Sequence, residues 1–151
     1  MYSENVLRLI KAGREAMLPP PEVTVSEWAD LNRILPETSV EPGKWRTARV
    51  PHLKGIMDAC NDPLCRQITV QGSSQIGKTE AINNIIGYHI DVAPCAIIVM
   101  HPTDQDARDY SQQKLEPMLD DTKCLKAKVS KKKSRDSDNQ LLRKKFIGVI
   151  S

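Results

Sequence analysis

Apolar residues recur at helical spacing from Glu4 to Met17, where Val6, Leu7, Ile10, Ala12 and Met17 fall roughly on one face, and Pro19-Pro20-Pro21 ends that pattern. Thr24-Val25-Ser26-Glu27-Trp28 predicts a second, short helix: Thr24 or Ser26 can accept the orphan N–H groups of its first turn, while Trp28 and Leu31 pack inward. Pro36 closes this segment, which sets a helical N-terminal part, residues 1–36, apart from residues 37–151. Glu37 to Pro51 carries prolines and a glycine and reads as an extended loop or short strand leading to a helix over His52–Cys60.

The pattern then changes period. Arg66 to Gln71 suits a strand, a glycine-containing loop follows, and Glu80 to Asp91 suits a helix with Ile82, Ile85, Ile86 and His89 recurring along it. Pro94 opens Cys95-Ala-Ile-Ile-Val-Met100, a continuous apolar run of the kind found in strands covered on both faces. Strand, loop, helix and strand make one βαβ unit. A further helix is expected over Gln105–Leu119, capped by Thr103 or Asp104, with Ala107, Tyr110, Ser111, Lys114 and Leu115 near one another. The fold class expected is α/β, with a mostly parallel β-sheet flanked by helices.

The loop between the first strand and its helix reads GSSQIGKT, Gly72 to Thr79. Gly, four residues, Gly-Lys-Thr is the spacing of a phosphate-binding P-loop. There, backbone N–H groups wrap the phosphates, the lysine reaches the outer ones and the hydroxyl holds magnesium. Strand, loop and helix in that order are the context the motif requires. Gly72, Ser73, Ser74, Gln75, Ile76, Gly77, Lys78, Thr79 and Glu80 are therefore the candidate nucleotide-binding residues. Lys78 is placed on the β- and γ-phosphates and Thr79 on Mg2+, with the helix dipole beginning near Gly77 adding favourable charge. Gln75 either helps to position phosphate or water or is a polar filler of the loop. ATP and Mg2+ are the cofactors expected.

Composition adds bounds rather than chemistry. A chain of 151 residues can bury a core without metal or disulfide help. Nothing in it approaches the length of a membrane span or the pattern of a signal peptide, so a cytosolic location and no membrane partner are expected. Cys60, Cys65, Cys95 and Cys124 form no C-x-x-C pair, which points to free, mostly buried thiols. The net charge of +3 conceals a split, since residues 126–151 hold nine Lys/Arg against two acids. That basic stretch is either a phosphate-facing surface for nucleic acid or a solvated loop, and no aromatics interleave it for base stacking.

An ATPase built on a P-loop also needs an acidic pair at the end of another buried strand. None is found: Cys95–Met100 leads into His101-Pro102-Thr103, and Phe146-Ile-Gly-Val-Ile-Ser151 reads as a strand at the end of the sequence.

The order of blocks resembles the N-terminal part of the large terminase subunit of lambda-like tailed phages, the GpA family. The likeness takes in SEWADLNRILPETSVEPGKWRTARVPHLKGIMDA, QGSSQIGKTEAINNIIGYHID, PCAIIVMHPTDQDARDYSQQKLEPMLDD and SRDSDNQLLRKKF, about residues 20 to 151. The resemblance implies a P-loop ATPase domain over residues 37–151, truncated before its Walker B acids. It further implies an ATP-driven motor that packages double-stranded DNA into procapsids in the host bacterial cytoplasm. A C-terminal nuclease domain, absent here, cuts concatemeric genomes in such proteins. The implied partners are double-stranded DNA, a small terminase subunit, the portal protein and procapsid, and further copies of the same chain in the motor. Lys78 and Thr79 inherit the catalytic phosphate and magnesium roles. The region from Arg49 to Leu53 corresponds to the segment that contacts adenine, making Arg49 and His52 candidates, although His52 stands where relatives often carry a tyrosine.

The loop departs from many packaging ATPases in offering Ser73, Ser74 and Gln75 where an arginine would stabilise transferring phosphate. That charge is expected from Arg108 or from a neighbouring subunit. Two alternatives stand beside the packaging motor. One is a helicase-like nucleic-acid translocase fragment; the other is a non-catalytic prophage remnant that binds nucleotide or DNA.

Overall fold

The structure is a computed structural model that describes residues 6, 10, 23–129 and 139–146. Val6 and Ile10 are helical and exposed; the rest of the helix expected over Glu4–Met17 lies outside the described residues.

Helix α1, Val25–Asn32, starts as its sequence demands. The Thr24 hydroxyl accepts from the Glu27 N–H while Glu27 reaches back to the Thr24 N–H, a reciprocal capping box. Its first turn is held from a distance as well: Asn61 accepts from the Val25 N–H at 2.9 Å, and Asp58 accepts from both the Ser26 N–H and the Ser26 hydroxyl. Val25, Trp28 and Ala29 are buried on one side, whereas Leu31, expected inward, is exposed. Leu31 lies nearly opposite Ala29 around the helix, so both cannot face one core.

Arg33 ends α1, and the chain turns back as an antiparallel pair, β1 (Ile34–Leu35) with β2 (Gly43–Lys44). The expected helix over His52–Cys60 is a short α-helix, α2 (Lys54–Asp58), extended at each end by 3-10 turns, Pro51–Leu53 and Ala59–Asn61.

Helix α3, Lys78–Asp91, is the central element. Tyr88 and Ile90 are buried, and Gly87 permits α1 to cross closely: a Cβ at residue 87 would sit 2.4 Å from Trp28 Cη2. The Trp28 indole N–H donates to Asp91 at 2.8 Å, tying the two helices beyond their apolar contact. Lys128 pairs with the same carboxylate at 2.8 Å, bringing in α6 (Lys123–Lys128), whose Leu125 is fully buried. Ile82, read from its spacing as one of the recurring helix positions, is exposed, while Asn83 and Asn84 are fully buried.

The helix expected over Gln105–Leu119 forms in pieces: α4 (Asp104–Tyr110), a π-helical turn over Ser111–Leu115 and α5 (Glu116–Asp121). Thr103 caps it, accepting from the Asp106 N–H at 3.1 Å. Pro117 has no N–H to return to the carbonyl one turn back, and the widened turn lies immediately before it. A second hairpin, β3 (Asn139–Gln140) with β4 (Arg143–Lys144), completes the described chain, and Phe146 bridges to Val129.

The expected parallel sheet is not formed among the described residues, whose ladders are these two antiparallel pairs. Residues 65–73 and 94–101 carry no strand assignment, and Arg66–Gln71 and most of Cys95–Met100 are exposed rather than covered. A strand is defined by a hydrogen-bonded neighbour, and apolar run and loop context say nothing about where that neighbour lies. A cavity of about 150 Å³ lies under the second segment, lined by Ile86, Ile97, Val99, His101 and Tyr110 among others. The cysteines depart from expectation too: Cys65 and Cys95 are exposed and Cys60 and Cys124 half-buried, all four with free thiols. No described helix is long and apolar enough to cross a membrane.

Candidate phosphate-binding site

The glycine loop runs into α3, the helix half of the context the motif requires; the strand before it is not formed among the described residues. Gln75 and Gly77 both take positive φ, 60° and 89°, on either side of Ile76. Left-handed residues in such alternation turn successive N–H groups toward one concavity, the arrangement that receives anions. The positive φ favours glycine at 77, and a Cβ there would also lie 3.0 Å from Leu53 Cδ1, a tight contact that the leucine would have to yield to. Gly77 is the N-cap of α3 and brings no side chain to cap it, so the first-turn N–H groups face the loop with the positive end of the helix dipole.

The Lys78 ammonium turns back over this loop, donating to the Gly72 carbonyl at 3.1 Å and to the Ser73 carbonyl. Thr79 is exposed beside it. Ser73, Ser74 and Gln75 are exposed along the loop, and Ile76 is half-buried. One lysine charge, the exposed hydroxyls of Ser73, Ser74 and Thr79 and an uncapped first turn fit the polyphosphate and magnesium of a nucleotide.

His52 belongs to this site by contact: its Nε2 lies 2.9 Å from the Ile76 carbonyl oxygen. A carbonyl only accepts, so Nε2 carries the hydrogen and the ring props the loop from outside. Arg49 is placed elsewhere, ion-paired to Glu41 in a surface recess that Leu35, Pro42 and Trp45 also line. Arg108 pairs with Asp104 one turn away at 2.9 Å, both side chains well exposed. Glu80 pairs with Arg33, its carboxylate 3.0 Å from Nη2.

Around Glu80 lies a buried polar network for which the sequence carries no motif. Arg33 is 1% exposed, the Tyr110 hydroxyl donates to Asn83 at 2.6 Å, and the His101 ring packs on Tyr110 with centroids 4.8 Å apart. Burial, with Glu80 adding to it, pushes the Tyr110 phenol up to about 12. The Arg33 pKa is lowered by burial, against the opposing pull of Glu80. Of the basic C-terminal stretch, residues 130–138 lie outside the described residues, while Lys144 pairs with Glu116 at 2.7 Å and Lys128 with Asp91.

Residues 39–151 match the family model of the phage terminase large subunit gpA, ATPase domain. The chain is 30% identical over 144 residues to the terminase large subunit of Escherichia phage lambda, covering 94% of this chain and 22% of that protein. It is 27% identical over 143 residues to the terminase large subunit of Enterobacteria phage P21, again with 94% and 22% covered. It thus spans about a fifth of the length of the curated relatives it matches. No solved structure matches it. The family match over residues 39–151, which takes in most of the sequence, leads to one conclusion: the chain belongs to the phage terminase large subunit gpA family, in its ATPase domain.

Proposed function

We propose that this chain is the nucleotide-binding front of an ATP-driven motor that packages double-stranded DNA into phage procapsids. The observation that carries the reading is the loop itself: left-handed Gln75 and Gly77, an uncapped α3 and the Lys78 ammonium held over the Gly72 and Ser73 carbonyls. In this reading the backbone of Gly72–Glu80 wraps the phosphates, Lys78 balances their charge, Thr79 holds Mg2+, and His52 keeps the loop in shape from behind Ile76. When bound, Mg-ATP supplies the phosphoryl-transfer chemistry that drives translocation. Kinship is the sole support for an adenine side at Arg49 and His52: His52 contacts the loop at the Ile76 carbonyl, whereas Arg49 pairs with Glu41 away from it.

The remaining parts of the reading follow from kinship with the terminase large subunits of lambda and P21. They comprise a mostly parallel sheet in the whole domain, acidic Walker B residues and nuclease carboxylates outside these 151 positions, and a homo-oligomeric motor. They also comprise a small terminase subunit and a portal as partners, and work in the host cytoplasm.

Titration of the full-length protein with Mg-ATP, followed by calorimetry, tests the site. Lys78→Ala is expected to weaken binding at least about tenfold, the order of one charge-assisted contact. Its thermal unfolding should shift little, because Lys78 contacts loop carbonyls rather than core. Equal affinities for the two proteins would overturn the assignment.

A further inference from the structure

A charge buried next to the phosphate-binding end of α3 has no part in the motif. Arg33 is fixed on both sides of its backbone, its N–H donating to the Ala29 carbonyl at 2.9 Å and its carbonyl accepting from the Trp45 N–H at 3.0 Å. Its guanidinium is thereby held inside the protein, where Nη1 donates to the Ile34 carbonyl, Nη2 to Glu80 at 3.0 Å, and Nε has no hydrogen-bond partner. An arginine keeps its proton even here, and a buried cation left partly unsatisfied is costly, so its place calls for a reason.

Glu80 supplies one. It follows Thr79 directly in the first turn of α3, where an acidic side chain gains from the positive end of the helix. The same positive end is what a polyphosphate needs, so an unpaired carboxylate at residue 80 would both compete for it and repel the incoming anion. Tyr110, which Glu80 also influences, is neutral at ordinary pH and cannot balance it, and Asp121, whose charge also acts on Arg33, is an acid like Glu80. Arg33 is the cation that pairs with Glu80 among the described residues.

We propose that Arg33 is a positioning residue for nucleotide: its buried guanidinium neutralises Glu80 and draws it off the head of α3, leaving the dipole and Lys78 to the phosphates. The proposal rests on the reading of Gly72–Glu80 as a nucleotide site. It makes Arg33, which lies outside the motif, a determinant of affinity.

Binding of Mg-ATP, Mg-ADP and AMP to the full-length protein, with thermal unfolding in parallel, tests it in Arg33→Met, Arg33→Lys, Glu80→Gln and the double variant Arg33→Met/Glu80→Gln. Arg33→Met should weaken Mg-ATP binding about tenfold, the effect of one uncompensated charge at close range, and affect Mg-ADP and AMP progressively less. Glu80→Gln should shift affinity in the opposite direction, the double variant should return toward the wild type, and Arg33→Lys should lose less than Arg33→Met. A merely structural arginine would give equal losses for all three nucleotides and no recovery in the double variant, and that result would overturn the proposal. If Arg33→Met does not fold, the sign of the Glu80→Gln shift decides, since weaker Mg-ATP binding there is incompatible with the charge argument. Wild-type protein and Lys78→Ala binding Mg-ATP equally would instead remove the nucleotide site itself, and the role of Arg33 with it.

Discussion

The helical body and the segments that flank the loop obey different physics. Around Trp28, the helices α1, α2, α3 and α6 bury Val25, Leu53, Met57 and Leu125 completely; some polar groups at the seams are paired, Asn61 with Tyr88 and Asp91 with Trp28 and Lys128, while Asn83 Nδ2 and Asn84 Oδ1 are buried without a partner. Across the loop, residues 65–73 and 94–101 carry comparable apolar content but leave it outside; Ile98 is 87% and Met100 88% exposed. Local spacing is enough to form a helix and give it an apolar face, whereas an extended segment becomes a covered strand only through what pairs beside it. The site sits on the boundary, with its loop on the exposed side and its lysine on the first residue of the packed helix.

The comparison is broken most strongly at Gly87. Gly87→Ala places a methyl into the Trp28 ring, and overpacking of that kind should cost about 3 kcal/mol in a denaturant titration. An unchanged midpoint would mean that the helices are not in this contact.

A smaller effect follows from acid. Burial disfavours the Asp91 carboxylate, but the hydrogen bonds from Lys128 and Trp28 prevail and hold its pKa below the usual value of 3.8. A carboxyl depressed in the folded state contributes stability that is present above 3.8 and lost as pH falls through its lower, folded value. Thermal unfolding should therefore decline on acidification below about pH 4, and Asp91→Asn should be less stable at neutral pH with a flatter acid limb. An identical acid limb in both proteins would assign the decline to other groups.

The smallest effect is expected on the far side of the loop. Ile98→Ser should change stability by no more than about 0.5 kcal/mol, as for an exposed position without partners. A loss of several kcal/mol would show that this segment is covered in solution.

The same division explains what the sequence disclosed. The Thr24 cap, the start of the long helix at the loop and the Thr103 cap were legible, because each depends on residues within one turn of one another. The turn at the head of the long helix was legible for the same reason, its left-handed Gly77 being set by local geometry. Leu31 and Ile82 were not, since spacing identifies an apolar face without saying which side finds a neighbour. The expected strands failed on the same ground. Arg33 left no signal at all: a lone arginine between Asn32 and Ile34 looks like any surface cation, and only the fold brings Glu80 to it. Asn83 and Tyr110, distant in sequence, are found together for that reason too.

Both tryptophans of the chain, Trp28 and Trp45, are buried in the helical body with their indole N–H groups bonded, to Asp91 and to Thr47. Their light emission therefore belongs to one side of the boundary. Intrinsic fluorescence should follow melting of the body with little interference from the loop, while nucleotide arriving at Gly72–Thr79 should leave it nearly unchanged and needs a labelled ligand to be seen.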